Sequence, residues 1–412
     1  MDKIRSDFPI LGKKVNGKPF IYFDSACTSL KPKQVIDAVV AYYSEYTGCA
    51  GRSVHKFATK TTEEFEKARE KVAKFINAKR PEEIVWTRNT TEAINIISHG
   101  FKFETGDKVI TTNLEHTSGT LPWMVKYKTG EIELEFVSCN NDGEFDTEDF
   151  KKKIDRKTKL VSLIHASNVT GTKSPLEDII KIAHDNGSLV LVDGAQSVPH
   201  HPMDVRKSDI DLLAFSGHKM CGPTGIGCLY GKYDLLKEIS PLSMGGETIK
   251  DIDINLCKKG DTDKCFVLEE IPTRFEGGIQ HYAGGIGLGA AVDYLTSVGM
   301  KNIVEYEKDL TKLLVEGLLT VPGIELLGPK DYRKRGALTA FNIKGMEPHD
   351  VAIMLDEQNI FVRSGMHCAY PIHKFLHFMK GSVRASLYFY NTKEEVKTFI
   401  EKLTSIAKTF GG

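Results

Sequence analysis

Two short apolar runs that end abruptly in polar residues constrain the fold of this chain more than any other feature. Residues 188–193 end in the carboxylate of Asp193, and residues 211–216 end in a hydroxyl that is followed by His218 and Lys219. Apolar runs of this length are typical of buried strands in a parallel sheet. Because ligands bind at the carboxyl ends of such strands, these polar residues predict a functional site.

Further strands are predicted at residues 83–87, 108–112 and 160–165, and helical patterns lie between them. An amphipathic helix is predicted over residues 61–77, where apolar residues recur at helical spacing. Another helix is predicted after Ser174, read as an N-cap, with a glutamate three residues later. This alternation predicts a mostly parallel sheet whose strands are joined by helical crossovers.

From about residue 300 the chain predicts a smaller α/β unit, with a strand at 338–343, a helix at 348–358 and a final helix capped by Thr392. A length of 412 residues is consistent with two domains. We therefore predict a large domain over 21–299, a small C-terminal domain over 300–412 and an N-terminal arm over 1–20. The glycine-rich run at 284–289 does not follow a strand, which favours helix packing over dinucleotide binding.

The charge composition argues against nucleic acid as a partner. Lysine plus arginine and aspartate plus glutamate each total 55, so the formal net charge is zero and no basic surface is indicated. No secretory signal or membrane-spanning apolar run is recognisable, which predicts a cytoplasmic protein without a membrane partner. Small molecules and other proteins are the expected partners.

The eight cysteines do not predict a secreted disulfide framework, because several lie in apolar runs of a long chain. They are expected to be reduced thiols, and those at 27, 139, 221 and 228 are read as small core or near-site residues. Cys257 and Cys265 lie in a polar segment, 251–270, that reads as a surface insertion. Their eight-residue separation lacks a paired metal-binding pattern, so no metal site is predicted.

The two strand ends point to a specific chemistry. Ser216 and His218 can bond a phosphate, and the amine of Lys219 can react with a carbonyl group. A carboxylate such as Asp193 can keep a pyridine nitrogen protonated. Residues 88–93 add hydroxyls at a helix start, where free N–H groups favour an anion, although an ordinary N-cap by Thr90 or Thr91 would look the same.

These motifs resemble a known family. Residues 193–196 (Asp-Gly-Ala-Gln), followed by 215–219 and the glycines of 222–227, are similar to the class V aminotransferases, pyridoxal phosphate enzymes of fold type I. Residues 363–371 and 383–391 resemble, within that class, the SUF-type (group II) cysteine desulfurases and selenocysteine lyases. The resemblance implies a large domain with a mostly parallel seven-stranded sheet and a smaller C-terminal α/β domain.

The resemblance also implies a role for each matching residue. The implied cofactor ligands are Lys219, which holds pyridoxal 5'-phosphate, Asp193 at the ring nitrogen, Gln196 at the ring hydroxyl, His116 stacked on the ring, and Thr91, Ser216 and His218 at the phosphate. Arg384 and Asn168 are implied to bind the substrate carboxylate, and Cys368 to accept sulfur. In a homodimer, Gly278 and Ile279 would reach the partner's phosphate, but Ile279 replaces the usual threonine and leaves only a backbone N–H.

The function that these residues imply is conversion of L-cysteine to L-alanine, with sulfur passed through Cys368 to a protein acceptor for iron–sulfur or other sulfur-containing cofactors. Selenocysteine lyase and ordinary class V aminotransferase are the alternatives, and a metal or redox module built on Cys257 and Cys265 is a third. Met366 stands where relatives often have histidine, which questions a proton-shuttle role there. The sequence leaves the sulfur acceptor unidentified.

Overall fold

The computed structural model describes residues 2–258 and 265–411. The α-helices in these ranges are α1 Asp2–Arg5, α2 Lys33–Glu45, α3 Lys56–Phe75, α4 Thr90–Gly100, α5 Leu121–Lys128, α6 Thr147–Lys153, α7 Leu176–Asp185, α8 Tyr233–Glu238, α9 Ile254–Lys258, α10 Tyr282–Val298, α11 Met300–Leu318, α12 Pro348–Asp356, α13 Tyr370–Phe375 and α14 Lys393–Phe410. The strands are β1 Ile21–Tyr22, β2 Ile84–Thr87, β3 Lys108–Thr112, β4 Glu133–Val137, β5 Thr158–Ile164, β6 Leu189–Asp193, β7 Leu212–Ser216, β8 Gly227–Gly231, β9 Ile249–Ile252, β10 Phe266–Leu268, β11 Ile324–Leu327, β12 Leu338–Ile343, β13 Ile360–Phe361, β14 Arg363–Gly365 and β15 Ser382–Ser386.

A seven-stranded sheet forms the centre of the larger part of the molecule, in the order β2-β8-β7-β6-β5-β3-β4. Neighbouring strands from β7 to β4 pair in parallel, whereas β8 runs antiparallel to both of its neighbours. Strands β5 to β8 are almost entirely buried, as expected for a sheet covered by helices on both faces. The predicted α/β fold with a mostly parallel seven-stranded sheet is confirmed.

The glycine-rich run 284–289 lies inside α10, which packs against α2 and α3. A Cβ added to Gly285 would come within 2.3 Å of the Phe65 ring, and one added to Gly289 within 2.7 Å of Ala68. The glycines therefore allow α10 and α3 to approach closely, which is the helix-packing role that the sequence favours. Helix α3 itself begins at Lys56, five residues before its predicted start, because His55 accepts a hydrogen bond from the Ala58 N–H and caps it.

A second, four-stranded sheet has the order β11-β12-β15-β14, and all of its pairs are antiparallel. In its register Arg363 of β14 lies directly opposite Arg384 of β15. Helices α11 and α14 pack on each other beside this sheet, and α14 begins with the predicted capping box of Thr392 and Glu395. This part of the chain is the smaller C-terminal α/β unit.

The apolar core around the second sheet includes a residue from near the start of the chain. Strand β1 pairs in parallel with β13, where Tyr22 lies opposite Phe361. The next residue, Phe23, is fully buried and packs against Phe399 at a ring-centroid distance of 5.5 Å. The smaller unit is thus built from both ends of the chain.

Two local predictions and one alternative reading need correction. Ser174 does not cap α7, because its hydroxyl donates to the Ile164 carbonyl oxygen and the cap position is Pro175, which makes no side-chain cap bond. Neither Thr90 nor Thr91 caps α4, because Asn89 occupies that position and accepts from the Glu92 N–H. The expectation that all cysteines are reduced is also wrong, since Cys257 and Cys265 form a disulfide.

The predicted insertion at 251–270 is only partly covered by the described residues, since 259–264 lie outside them. Around it, β9 and β10 form an antiparallel pair with largely exposed residues. No helix in the described part of the chain combines the length and the apolar character that crossing a bilayer requires.

Candidate active site

A cavity of about 280 Å³ opens where the parallel strands end and α4 begins. Ile164, Asp193 and Ser216, the last residues of β5, β6 and β7, line it together with residues from the C-terminal unit. Ten of the twelve predicted site residues line this cavity: Thr91, His116, Asn168, Asp193, Gln196, Ser216, His218, Lys219, Cys368 and Arg384. Side chains that are distant in sequence therefore converge at the predicted edge of the sheet.

Asp193 and Lys219 form the electrostatic centre of the cavity. Asp193 is buried and accepts a hydrogen bond of 2.8 Å from the Ala195 N–H. Burial raises the pKa of Asp193, although the nearby Lys219 charge acts in the opposite direction. Burial lowers the pKa of Lys219, and the Asp193 carboxylate partly offsets that effect. A lysine amine with a lowered pKa is a better nucleophile and base at neutral pH.

Polar atoms without partners mark the ligand-facing side of the cavity. The Gln196 amide donates to the Ala26 carbonyl oxygen at 2.7 Å and the Asn168 amide donates to the His367 carbonyl oxygen at 2.7 Å. The oxygen of each amide, Gln196 Oε1 and Asn168 Oδ1, is buried and has no hydrogen-bond partner among the described residues. Because buried polar atoms are normally paired, these oxygens indicate a polar ligand.

One end of the cavity is formed by hydroxyls and by the first turn of α4. The Ser216 hydroxyl accepts from the Thr90 N–H at 2.9 Å and shares a second hydrogen bond of 2.7 Å with the Thr90 hydroxyl. The Thr91 hydroxyl lies 2.7 Å from that of Ser118. A helix N-terminus surrounded by hydroxyls suits an anion such as phosphate.

His116 is held as a neutral imidazole. Its Nδ1 accepts a hydrogen bond from the Ser118 N–H at 3.2 Å, so in the neutral ring the proton is on Nε2. Burial, reinforced by the positive charge of Lys219, lowers the pKa of His116 to about 4. Burial and the same charge lower the pKa of His218 to about 4. Both rings are therefore uncharged at neutral pH.

Arg384 is fixed in the wall of the cavity. Its side chain is only 3% exposed, and its guanidinium donates to the Asn168 carbonyl oxygen at 3.0 Å and to Asp24 Oδ1 at 3.2 Å. Its Nε has no partner among the described residues. Two of the five guanidinium N–H groups make these bonds, and the remaining donors, Nε–H among them, suit a carboxylate.

Cys368 lies on the loop that follows β14, and its side chain is exposed. The loop backbone is fixed at this point, because the Cys368 carbonyl oxygen accepts from the Thr117 N–H at 2.7 Å. His367 and Cys368 have φ angles of 48° and 53°, in the left-handed region that non-glycine residues rarely adopt. Such backbone strain is concentrated at functional sites, and here it presents a thiol to the cavity.

Gly278 and Ile279 do not line this cavity. Ile279 is 70% exposed and, with residues such as Leu242 and Gln280, borders a separate cavity of about 430 Å³. Glu276, just before this segment, holds it in place, because its two carboxylate oxygens accept hydrogen bonds of 2.7 and 2.9 Å from the guanidinium of the buried Arg69. Within one copy of the chain these two residues therefore do not share a cavity with the other predicted ligands.

Sequence reasoning gave no role to several residues that line the cavity, among them Cys27, Arg363, His367 and Ser118. Arg363 directly precedes the Cys368 loop, and its Nη1 donates to Cys27 Sγ at 3.0 Å. His367 is buried, and burial lowers its pKa well below the usual value. The position of Arg363 and His367 beside Cys368 was the available sequence signal, whereas nothing local marked Cys27.

Comparison with known proteins identifies the class. The family model Aminotransferase class-V matches residues 21–399, so the chain belongs to the class-V aminotransferase family. The full chain is 45% identical to a probable cysteine desulfurase of Synechocystis sp., over 99% of this chain and 96% of that protein. It is 39% identical to a cysteine desulfurase of Haloferax volcanii, over all of this chain and 97% of that protein.

The solved structures agree. The apo structure of a cysteine desulfurase from Thermococcus onnurineus NA1 superposes with a TM-score of 0.92 at 39% identity, covering 99% of this chain and 98% of that one. The cysteine desulfurase CsdA from Escherichia coli superposes with a TM-score of 0.89 at 33% identity, covering 99% and 98%. This chain is therefore similar over its whole length to cysteine desulfurases.

The residues of the cavity fit pyridoxal phosphate, the cofactor of this family. Its ring nitrogen requires a buried carboxylate, its phosphate an anion site, and its aldehyde a lysine, and the cavity supplies Asp193, the α4 N-terminus and Lys219. The unpaired Gln196 Oε1 supplies an acceptor for the ring hydroxyl. Together these groups match the functional groups of the cofactor.

Proposed function

We propose that this protein is a cysteine desulfurase, which converts L-cysteine to L-alanine and takes the sulfur onto Cys368. The observation that carries the proposal is an exposed thiol, Cys368, on a strained and anchored loop of the cavity that also contains Lys219 and Arg384. An aminotransferase would need the lysine and the arginine but would not need this thiol.

The cofactor would be held by this chain's own groups. Lys219 would bind it covalently, Asp193 would keep the ring nitrogen protonated, and Gln196 would accept from the ring hydroxyl. The neutral ring of His116 would stack on the pyridine, while Thr91, Ser216 and His218 would bind the phosphate. When bound, pyridoxal phosphate supplies an electron sink that stabilises negative charge on the substrate carbon.

The substrate would be oriented by its carboxylate. Arg384 Nε lacks a partner among the described residues, whereas the unpaired Asn168 Oδ1 is an acceptor that would bind a donor of the ligand and not its carboxylate. An ion pair with Arg384 would fix the carboxylate end of L-cysteine. Positioning of this kind raises the effective concentration of the sulfur at the Cys368 thiol.

Proton transfer would depend on Lys219. Burial lowers the pKa of its amine, so Nζ can accept a proton from the substrate Cα and later return it to the product. His116 cannot compete as a base for this proton near neutral pH, because its pKa is lowered to about 4. Its role is therefore to stack on the ring and to position it.

Sulfur transfer would occur at Cys368. Its thiolate attacks the substrate sulfur, a bond forms between the two sulfur atoms, and the carbon–sulfur bond breaks. The electron pair of the broken bond remains with the carbon skeleton, which is protonated and leaves as L-alanine. The exposed position of Cys368 would let a protein acceptor collect the bound sulfur for assembly of iron–sulfur clusters or other cofactors.

We propose that the protein acts as a homodimer in which Gly278 and Ile279 approach the cofactor phosphate of the partner subunit. The support is the 70% exposure of the apolar Ile279 on a segment anchored by the buried Arg69–Glu276 pair. Isoleucine has no hydroxyl, so the contact would be made by a backbone N–H. The reaction also needs Cys368 as a free thiol, and Cys368 is free although Cys257 and Cys265 form a disulfide.

The test is incubation of the purified, cofactor-loaded protein with L-cysteine, followed by measurement of alanine and mapping of bound sulfur by mass spectrometry. We expect alanine without net amino transfer to a keto acid, and sulfur on the Cys368 peptide. Amino transfer to a keto acid without bound sulfur would identify an ordinary aminotransferase. A rate that is high only with selenocysteine would identify a selenocysteine lyase.

A second measurement tests the cofactor assignment. Borohydride reduction should fix the pyridoxyl mass on the peptide that contains Lys219. A label on another lysine would contradict the assignment. Sedimentation at micromolar concentration should give a dimer, and a fully active monomer would contradict the cross-subunit contact.

A further inference from the structure

Cys27 places a second thiol in the cavity. It lies in the turn after β1 and lines the cavity together with Cys368, although the two residues belong to opposite ends of the chain. Its side chain is partly exposed, and Arg363 Nη1 donates a hydrogen bond of 3.0 Å to its sulfur. A charged donor of this kind stabilises negative charge on sulfur.

The other free cysteines of the described residues are placed differently. Cys139, Cys221 and Cys228 are buried, and burial raises the pKa of Cys139 to about 11 and that of Cys221 to about 12. Buried thiols of this kind stay protonated and inert. Cys49 is partly exposed but contacts Tyr282 outside the cavity.

Unpaired polar atoms indicate that the cavity shared by the two thiols binds a ligand. Arg384 is 3% exposed and its Nε is unpaired among the described residues, as is the buried Asn168 Oδ1. Both side chains line the same cavity as Cys27 and Cys368. Lys219 lines the same cavity as both thiols, and negative charge on either thiol raises its pKa.

We propose that Cys27 is a second sulfur acceptor, which removes the sulfane sulfur from Cys368 inside the cavity. The inference rests on the proposed function, because that reaction loads Cys368. The Cys27 thiolate attacks the outer sulfur of the Cys368 persulfide, a new sulfur–sulfur bond forms at Cys27, and the bond at Cys368 breaks. Cys368 leaves as a thiolate, the proton stays on the transferred sulfur, and no oxidant or reductant is consumed.

Arg363 provides a physical reason for the direction of this relay. It lies on β14, three residues before the strand gives way to the Cys368 loop, and its guanidinium reaches back to Cys27. A persulfide is more acidic than a thiol, so the transferred sulfur then gives its proton to the departing Cys368 thiolate, and the guanidinium would stabilise the resulting anion on Cys27. The transfer would free Cys368 for a second turnover before any acceptor protein binds.

The expected consequence is a difference in stoichiometry. With excess L-cysteine, and with neither an added reductant nor an acceptor protein, the wild-type protein should form about two equivalents of alanine per subunit in the rapid phase, before free L-cysteine removes the bound sulfur. Cys27→Ala should form about one, because the sulfur then remains on Cys368. Cys49→Ala is the matched control, since it removes a partly exposed thiol outside the cavity, and it should still form about two.

Mass spectrometry after alkylation locates the sulfur without relying on any variant. We expect added sulfur on both the Cys27 and the Cys368 peptides of the wild-type protein, and on neither peptide of Cys368→Ser. Cys27→Ser, which is nearly isosteric, repeats the stoichiometry test if Cys27→Ala folds poorly.

The outcomes separate the relay from the desulfurase reaction. A wild-type protein that stops at one equivalent of alanine, with all its sulfur on Cys368, would overturn the relay and leave the desulfurase intact. Two equivalents in both the wild-type protein and Cys27→Ala would also overturn it, because the extra sulfur would then have another destination. No alanine from the wild-type protein would overturn both proposals.

Discussion

Replacement of Arg384 by lysine tests how the cavity recognises its substrate. The variant keeps the positive charge but replaces a planar group with several donors by a single amine. In the wild-type protein, Nη1 and Nη2 are bound to the Asn168 carbonyl oxygen and to Asp24, at 3.0 and 3.2 Å. These two bonds fix the orientation of the guanidinium and leave Nε–H without a partner among the described residues, and the single amine of a lysine cannot reproduce this arrangement.

The size of the effect follows from the number of hydrogen bonds lost. A hydrogen bond to a charged group contributes about 1.5–3 kcal/mol. Because each 1.4 kcal/mol corresponds to a factor of ten, the loss of one such bond to the substrate carboxylate lowers kcat/KM about 10- to 150-fold. The same contact holds the substrate before and during the reaction, so the change should fall mainly on KM.

The assay is steady-state formation of alanine from L-cysteine in the presence of a thiol reductant, with cofactor content checked by absorbance. Arg335→Lys is a matched control, because Arg335 is also a buried arginine that donates to backbone oxygens, those of Thr170 and Leu327. Arg335 does not line the cavity, so this variant should share the packing defect and leave KM little changed.

A loss in kcat/KM of less than about threefold in Arg384→Lys would show that this contact contributes little to recognition. An equal rise of KM in Arg335→Lys would mean that loosened packing, and not carboxylate binding, is responsible. Either result would refute the assignment of Arg384 as the carboxylate ligand.

Three further predictions concern catalysis, acid stability and a buried ion pair. Cys368→Ser should keep the cofactor and still show a spectral change with L-cysteine, yet alanine formation should fall by several orders of magnitude because the covalent nucleophile is lost; near wild-type turnover contradicts sulfur transfer through this residue. Burial, with the charge of Lys173, lowers the pKa of His201 in the folded protein to about 2. In the unfolded chain the pKa is about 6.5, so as the pH falls below about 6.5 the unfolded chain binds a proton that the folded protein does not, and the folded protein loses stability. Between about pH 7 and pH 5 the melting temperature of His201→Gln should therefore fall less than that of the wild-type protein. Melting temperatures that fall equally in the two proteins would exclude this contribution of His201. Glu276→Ala leaves the buried Arg69 without its main partner and should lower the free energy of unfolding in urea by about 3–5 kcal/mol. Asp293→Ala, which breaks an exposed pair with Lys71, should lower it by at most about 1 kcal/mol. Equal losses in the two variants would contradict the argument from burial.

The part of the site that sequence reasoning reached is local in the chain. Asp193 and Lys219 each stand at the end of an apolar strand, and neighbouring parallel strands bring their ends together. The polarity at the strand ends and the mostly parallel sheet that the fold class predicts were therefore sufficient. Their burial, which shifts both pKa values, depends on the whole sheet and could be obtained only from the structure.

The contacts of Cys27 could not be predicted from the sequence. Cys27 meets Arg363 only because β1 pairs with β13, and the strand that follows β13 carries the arginine. Nothing near Cys27 in the sequence encodes a partner so distant. The same holds for Asp24, which reaches Arg384 through the same arrangement.

The local errors have physical reasons as well. Ser174 has the right residue type for an N-cap, but burial beside the end of β5 gives its hydroxyl a nearer acceptor in the Ile164 carbonyl oxygen. A buried hydroxyl must find a partner, and tertiary contact here outweighed the capping preference. The Cys257–Cys265 disulfide depends on the approach of β9 and β10, which the polar sequence between them did not indicate.

The pairing of β1 with β13 also affects the order in which the molecule is assembled. Phe23 completes an apolar core that is otherwise built from residues beyond 300, so that core stays open until the two distant segments meet. Closing so long a loop is entropically unfavourable, and such a contact is expected to form late in folding. During synthesis the N-terminal segment emerges first. Phe23 is therefore expected to stay exposed to water and accessible to chaperones until almost the whole chain has left the ribosome.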